Sequence, residues 1–371
     1  MASPAALNFN QAMDEARRRQ LAGDLAGAGT LYRQLLSAEP NQPDALTLLA
    51  SIAYQSDEAG QADQMVEQAI AEYRRRLSIT PNHDTMRAAL ANLLLARDRS
   101  AVAEAVIGKA ALGLRPIRSS ADEFEARRRH GQDKALPPIL INALPKSASE
   151  SIWNKLANGL NIAQAHVSIG LFPDCMAVPA RLRALGQGGV SAKEHMPATS
   201  HNLNSLAESG VERVVVHIRD PRQSLLSWAH FLESDVSKRL LAPIWRKTTP
   251  SAGFFREPFP TQIDWHIDNY LPIVIRFIEQ WVAVRDDESA RVSVCFMTFE
   301  EFRTDPSAYF ERFLEFYTID RGLFAPEAEA EVVHLRKGAL DEWRESFTAA
   351  QSERAWSLIP AALADEFGWQ S

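Results

Sequence analysis

The apolar run Pro137-Pro-Ile-Leu-Ile-Asn-Ala-Leu144 stops at Pro145-Lys-Ser-Ala-Ser149, and Ser149-Glu-Ser-Ile-Trp-Asn-Lys-Leu-Ala157 opens a helical pattern. A short uninterrupted apolar run is what a central parallel strand requires, because both of its faces are covered. Strand, tight loop and helix start in that order predict an α/β fold with a parallel central sheet. They also aim free N–H groups and the positive end of a helix dipole at one point, with Lys146 beside it, so the loop reads as an anion cradle. The Walker pattern G-x-x-x-x-G-K-[ST] is missing, and the loop therefore does not specify magnesium-dependent nucleotide hydrolysis.

With 371 residues, 46% of them hydrophobic, the chain is long enough for two domains with ordinary cores. It has no run of about 18 consecutive apolar residues, and its start lacks the basic-then-apolar order of a signal peptide. No membrane span is expected, and the protein reads as soluble and cytoplasmic. The two cysteines, Cys175 and Cys295, read as reduced thiols. Neither they nor the histidines have paired ligand spacing, so no metal site is expected. The formal net charge of −7 arises wholly from residue 137 onward, where 23 Lys+Arg face 30 Asp+Glu. That balance argues against a nucleic-acid partner, and any anion site has to be a local concentration of cations and N–H groups.

Before residue 120 the chain repeats itself. Ala16, Ala28 and Tyr32 before Pro40, then Ala50, Ala53, Ala62 and Ala69 before Pro81, then Leu90, Ala91, Leu94, Ala103 and Ile107 before Pro116 recur at similar spacing. The period of about 34 residues resembles a tetratricopeptide repeat, whose paired helices need small residues where they approach. Residues 1–118 are thus expected to be an all-α, tetratricopeptide-like array, followed by a polar connector over 119–136. The array reads either as a peptide-binding groove or as a spacer and self-association platform.

Further along, Val211-Glu-Arg-Val-Val-Val-His-Ile218 and Arg291-Val-Ser-Val-Cys-Phe-Met297 read as buried strands. The first ends in Arg219-Asp-Pro221, with Ser227 on the helical stretch behind it. Open α/β sheets gather ligands at the C-terminal ends of their strands, and the planar fork of arginine suits a phosphate. Lys193-Glu-His195-Met-Pro197 offers a histidine whose ordinary pKa of about 6.5 leaves a neutral fraction at cellular pH. Leu335-Arg-Lys-Gly338 adds two more cations, and the Pro- and Trp-containing stretch between Glu233 and Trp265 reads as a lid.

Taken together, these segments resemble the sulfotransferases that use 3′-phosphoadenosine 5′-phosphosulfate (PAPS), over about residues 137–348. The resemblance implies a P-loop-like three-layer domain at residues 137–371. In it Lys146 would bridge the leaving phosphate and the sulfuryl group, with Ser147, Ala148, Ser149 and Ser151 around the 5′-phosphate. Arg219, Ser227, Arg336, Lys337 and the N–H of Gly338 would hold the 3′-phosphate, and Phe299 would lie near adenine. His195 would be the general base, and Lys193 would position acceptor or sulfuryl oxygens. The implied reaction moves the sulfuryl group to a hydroxyl or amine, with no metal, and releases adenosine 3′,5′-bisphosphate (PAP). The acceptor would be a small molecule, a glycan or a carrier- or peptide-bound group, and the repeats would suit a protein partner.

Three positions depart from the family pattern. Ala148 stands where cytosolic members have Gly, Glu150 replaces a hydroxyl residue, and Ser151 takes the place of a Trp that stacks on adenine. A carboxylate beside a phosphate repels it, so Glu150 is expected to point away. These departures leave room for a different class, a repeat scaffold that binds nucleotide without turnover. A nucleotide kinase shares the sheet-and-loop design but requires the missing GK[ST].

Overall fold

Small residues where helices cross let backbones come close, and the first part of the chain is built on them. The structure, a computed structural model, describes residues 8–117, 119–234, 244, 252–325 and 340–371. Helices α1 (Phe9–Ala22), α2 (Leu25–Ala38), α3 (Pro43–Gln55), α4 (Ala59–Ile79), α5 (Asp84–Ala96) and α6 (Ser100–Ile107) follow one another, each packed on the one before it. Ala16, Ala28, Ala62, Ala69 and Ala103 are fully buried, as are Tyr32 and Leu94. Asn8 starts α1 with a reciprocal capping box to Gln11, and Pro43 opens α3, where its missing N–H costs nothing.

The chain divides into two compact units, one formed by residues 1–107 and 229–262 and the other by 108–228 and 263–371. The second is a mixed α/β fold. Its elements run β1 (Arg115–Pro116), α7 (Ala121–Asp133), β2 (Ile139–Ala143), α8 (Ser149–Gly159), β3 (Ala163–His166), β4 (Ser168–Ile169), β5 (Met176–Ala177), α9 (Pro179–Leu185), β6 (Val190–Glu194), α10 (Ser200–Ala207), β7 (Arg213–Ile218) and α11 (Pro221–Ser234). After these come α12 (Phe259–Asn269), α13 (Leu271–Asp286), β8 (Ser293–Thr298), α14 (Phe299–Thr304), α15 (Pro306–Tyr317), α16 (Trp343–Ser346), α17 (Ala349–Leu358) and α18 (Ala361–Phe367). Of the three boundaries between the units, one follows the end of α6 and the other two fall within α11 and α12.

The main sheet has the order β1-β3-β6-β2-β7-β8. Only the short β1 runs antiparallel to its neighbour; β3, β6, β2, β7 and β8 are mutually parallel. Ile139, Ile141 and Ala143 of β2 share one apolar core with Ile152 and Trp153 of α8, Val215 of β7, and Phe310 and Phe313 of α15. All five positions of β2 are buried, which is why its sequence is apolar except for Asn142, whose amide is satisfied by the Met196 backbone.

One element differs from the sequence expectation, and a second was not read from the sequence at all. Residues 121–133, expected as part of a polar connector, form α7, and Gly131 explains how that helix lies flat on the sheet. A Cβ there would stand 2.6 Å from the Cα of Gly189 and 2.9 Å from Ile162. The second is β6, which is buried throughout although Ser191, Lys193 and Glu194 are polar. Those groups find partners inside the fold, as buried polar atoms must. Ser191 accepts from the Trp153 indole at 2.9 Å, and the Glu194 carboxylate takes the N–H groups of Val167 and Ser168 with the Ser168 hydroxyl.

Among the described residues no helix is long and apolar enough to cross a membrane, and no group of three or more His, Cys, Asp or Glu is placed to hold a metal ion. Of the expected lid between Glu233 and Trp265, residues 235–243 and 245–251 fall outside the described residues, and the described remainder includes the start of α12.

Candidate functional site

A strand flanked by two parallel neighbours whose connections leave in opposite directions opens a crevice beyond its C-terminal end. Here that strand is β2, between β6 and β7. His195 directly follows β6, Arg219 directly follows β7, Phe299 directly follows β8, and the loop carrying Lys146 follows β2. These four candidates therefore lie at the C-terminal edge of the sheet.

The loop has an unusual backbone. Lys146 and Ala148 have φ of 65° and 64°, with Ser147 between them at negative φ. Alternation of this kind turns successive N–H groups to one side and forms a concavity for an anion. Ala148 is also the N-cap of α8 and offers no side-chain acceptor, so the first-turn N–H groups have no side-chain cap.

Three consecutive loop carbonyls are pulled the other way, towards β7 and α11. The Ser224 hydroxyl donates to Pro145 O at 2.9 Å, Arg219 Nη1 to Lys146 O at 3.3 Å, and His217 Nε2 to Ser147 O at 2.8 Å. Ser147 itself is fully buried, its hydroxyl donating to Leu144 O at 2.7 Å. That side chain closes the turn.

Because His217 donates from Nε2, its Nδ1 accepts, and the Tyr309 hydroxyl lies 2.9 Å away to donate. Burial pushes the pKa of His217 down to about 4. The unfolded ring titrates near 6.5, so between about 6.5 and 4 the unfolded chain takes a proton that the folded chain refuses. Stability is expected to be insensitive to this group above that window and to fall by about 3 kcal/mol across it as the pH drops. Urea midpoints measured against pH check this. His217→Gln removes the titration while keeping a donor, and should shrink the acid-side loss by roughly that amount; an unchanged profile would count against the buried neutral ring.

At the end of β6 the geometry is equally directed. Half-buried His195 donates from Nδ1 to Ala143 O at 2.6 Å, which leaves the Nε2 lone pair outward. Lys193 Nζ lies 3.3 Å from that nitrogen and pairs with Glu150 at 2.6 Å. Burial, and next the Lys193 charge, push the His195 pKa down to about 3, so the ring is neutral. The neighbouring backbone is clamped by Asn142, which bonds both the carbonyl and the N–H of Met196 at 2.8 Å and 2.7 Å.

Arg219 is only 6% exposed, and its guanidinium carbon lies 4.0 Å from the centre of the Phe299 ring. Phe299 is 1% exposed. It therefore acts as a platform beneath Arg219. Arg222 pairs with Asp220 at 2.7 Å and lies over the Trp343 ring.

Ser149 is buried at the first turn of α8 and Ser151 half-buried next to it. Ser227, also half-buried, lies one turn beyond Ser224 on the same face of α11. Arg336, Lys337 and Gly338 lie outside the described residues. Sequence reasoning missed Ser224, Asn142 and the His217–Tyr309 pair. The available signal was positional: Ser224 precedes Ser227 by one helical turn, and His217 precedes Arg219 on the same strand face.

No protein-family model and no curated protein matches this chain. Among solved structures, that of the mouse sulfotransferase SULT7A1 complexed with PAP aligns with 66% of this chain and 92% of its own, at 14% identity and a TM-score of 0.39.

Proposed function

We propose that the second unit transfers a sulfuryl group from PAPS to an acceptor hydroxyl or amine. One observation carries the reading: the anion-directed loop and the His195 ring are both anchored at the end of β2, the loop through Leu144 just after the strand and the ring, by its Nδ1, through Ala143, the last strand residue. The donor fits what surrounds it, since alternating φ, an uncapped helix start, Lys146 and Arg219 all favour phosphate oxygens.

PAPS would supply a sulfuryl group already activated by its bond to phosphate. In the reading, the loop N–H groups and Lys146 hold the 5′-phosphate and stabilise the charge that grows on it. Arg219, Ser227 and the Arg336-Lys337-Gly338 segment hold the 3′-phosphate. Lys193 directs the sulfuryl oxygens and His195 Nε2 takes the acceptor proton. The acceptor O–S or N–S bond forms as the S–O bond to the phosphate breaks, and the phosphate oxygen keeps the electron pair. A ring with its pKa held near 3 is a weak base, yet it suffices, because an attacking hydroxyl becomes strongly acidic as its oxygen bonds to sulfur. Lysines and arginine supply all the charge this chemistry needs, without a metal.

The helical array belongs to the proposal as a tetratricopeptide-like platform for a partner protein or self-association, supported by its buried Ala16, Ala28, Ala62, Ala69 and Ala103. Calorimetry with PAP and 5′-AMP, followed by transfer from labelled PAPS into small-molecule, glycan and protein fractions, tests the whole. PAP is expected to bind at least tenfold tighter than AMP, because a charge-assisted phosphate contact is worth about 1.5–3 kcal/mol. Equal affinities would sink the reading, and PAP binding without transfer to any fraction would favour the inactive scaffold.

A further inference from the structure

Glu150 is the one carboxylate in the first turn of α8, at the mouth of an anion cradle, where its charge opposes the ligand. Its position is explained by what it holds. Glu150 Oε1 lies 2.6 Å from Lys193 Nζ, and that same Nζ lies 3.3 Å from His195 Nε2. Lys193 is 7% exposed and Glu150 42%, so a buried ammonium is tied to a carboxylate that can swing into water.

The His195 tautomer makes the arrangement consequential. With Nδ1–H committed to Ala143 O, the only lone pair of the ring is on Nε2, and the Lys193 ammonium donates into it. In this state the base is occupied. Glu150 and His195 hold Lys193 on one side, and any anion entering the loop that Glu150 flanks competes with them.

Building on the sulfotransferase reading, we propose that Glu150 is a displaceable positioning residue that parks Lys193 on His195 Nε2 and releases it when an anionic donor occupies the loop. A dianionic phosphate-sulfate at the cradle repels the carboxylate and attracts the ammonium. Glu150 turns to solvent, Lys193 turns to the donor, and the Nε2 lone pair is exposed to the acceptor. The base is thereby available only after the donor has bound, which imposes an order of addition. The carboxylate trades affinity for this control.

Two readouts on the full-length chain test the inference. Histidine labelled with nitrogen-15 reports the donor at His195 Nε2, its signal assigned by loss in His195→Asn. In Glu150→Gln without nucleotide, Nε2 is expected to shift towards a lone pair with no donor, and in wild type the same shift is expected when PAP is added. By calorimetry, Glu150→Gln is expected to bind PAP on the order of fivefold more tightly, because the competing carboxylate is gone. Glu150→Asp, which keeps the charge one methylene further back, is expected to fall between the two in both measurements.

An unshifted Nε2 signal in Glu150→Gln, or PAP affinity unchanged or weakened in it, would overturn the inference while leaving the sulfotransferase reading standing. Wild-type protein that binds no PAP would overturn both.

Discussion

Replacing His195 by Ala is expected to lower the rate of sulfuryl transfer by about 10²–10⁴-fold while PAP affinity stays within about threefold of wild type. The separation follows from where the ring is attached. Its Nδ1 is bonded to Ala143 O and its Nε2 to Lys193, so neither nitrogen is committed to the loop N–H groups that would hold the nucleotide. Truncation removes the proton acceptor but leaves the turn closed by Ser147 and the carbonyls of Pro145, Lys146 and Ser147 tied down. Single-turnover transfer from pre-bound PAPS, beside calorimetry with PAP, separates the two quantities. Unchanged turnover would dismiss the imidazole, and a parallel fall in affinity would mean that it orders the loop instead.

The second large effect is expected at Arg219. Arg219→Ala should weaken PAP binding by about 30–100-fold, or roughly 2–3 kcal/mol, the worth of a charge-assisted hydrogen bond in a buried setting. The guanidinium does two jobs that the experiment can divide. It donates to Lys146 O, supporting the loop, and it places a positive charge over the Phe299 platform at the end of β7. A 3′-phosphate contact predicts that PAP suffers and 5′-AMP does not. If both ligands weaken equally, Arg219 works through the loop backbone, and the 3′-phosphate has to be held elsewhere. Arg219→Lys, which retains charge but loses the planar fork, should recover only part of the loss.

These two substitutions touch residues whose type and neighbourhood could be read from the chain alone. Central parallel strands are covered on both faces, so β2 and β7 announce themselves as mostly apolar runs, and a residue just after such a run sits at the ligand-binding edge, whereas β8, read from its apolar residues as buried, is the edge strand and only partly covered. The β6 strand does not announce itself, because Ser191, Lys193 and Glu194 interrupt it, and their partners Trp153, Glu150 and Val167 belong to elements on other parts of the chain. The same blindness hid α7, whose Arg-rich sequence carries little apolar periodicity and whose docking rests on a single glycine facing Gly189.

What the amino-acid order determined by itself was local: a strand feeding a tight turn and a helix start, an arginine at a strand end, and small residues repeating along a helical array. These depend on periodicity, turn chemistry and capping, which act over a few residues. The tertiary structure decided which atoms face which. It turned Ser147 inward, set Phe299 under Arg219, gave three loop carbonyls to His217, Arg219 and Ser224, and joined Glu150 to Lys193 and His195. Such pairings follow from the register of β2 against β6 and β7, where Asn142 meets Glu194 and Ala143 meets His217. Sliding either neighbour by one residue would turn its side chains to the opposite face, so no pattern within one segment encodes them.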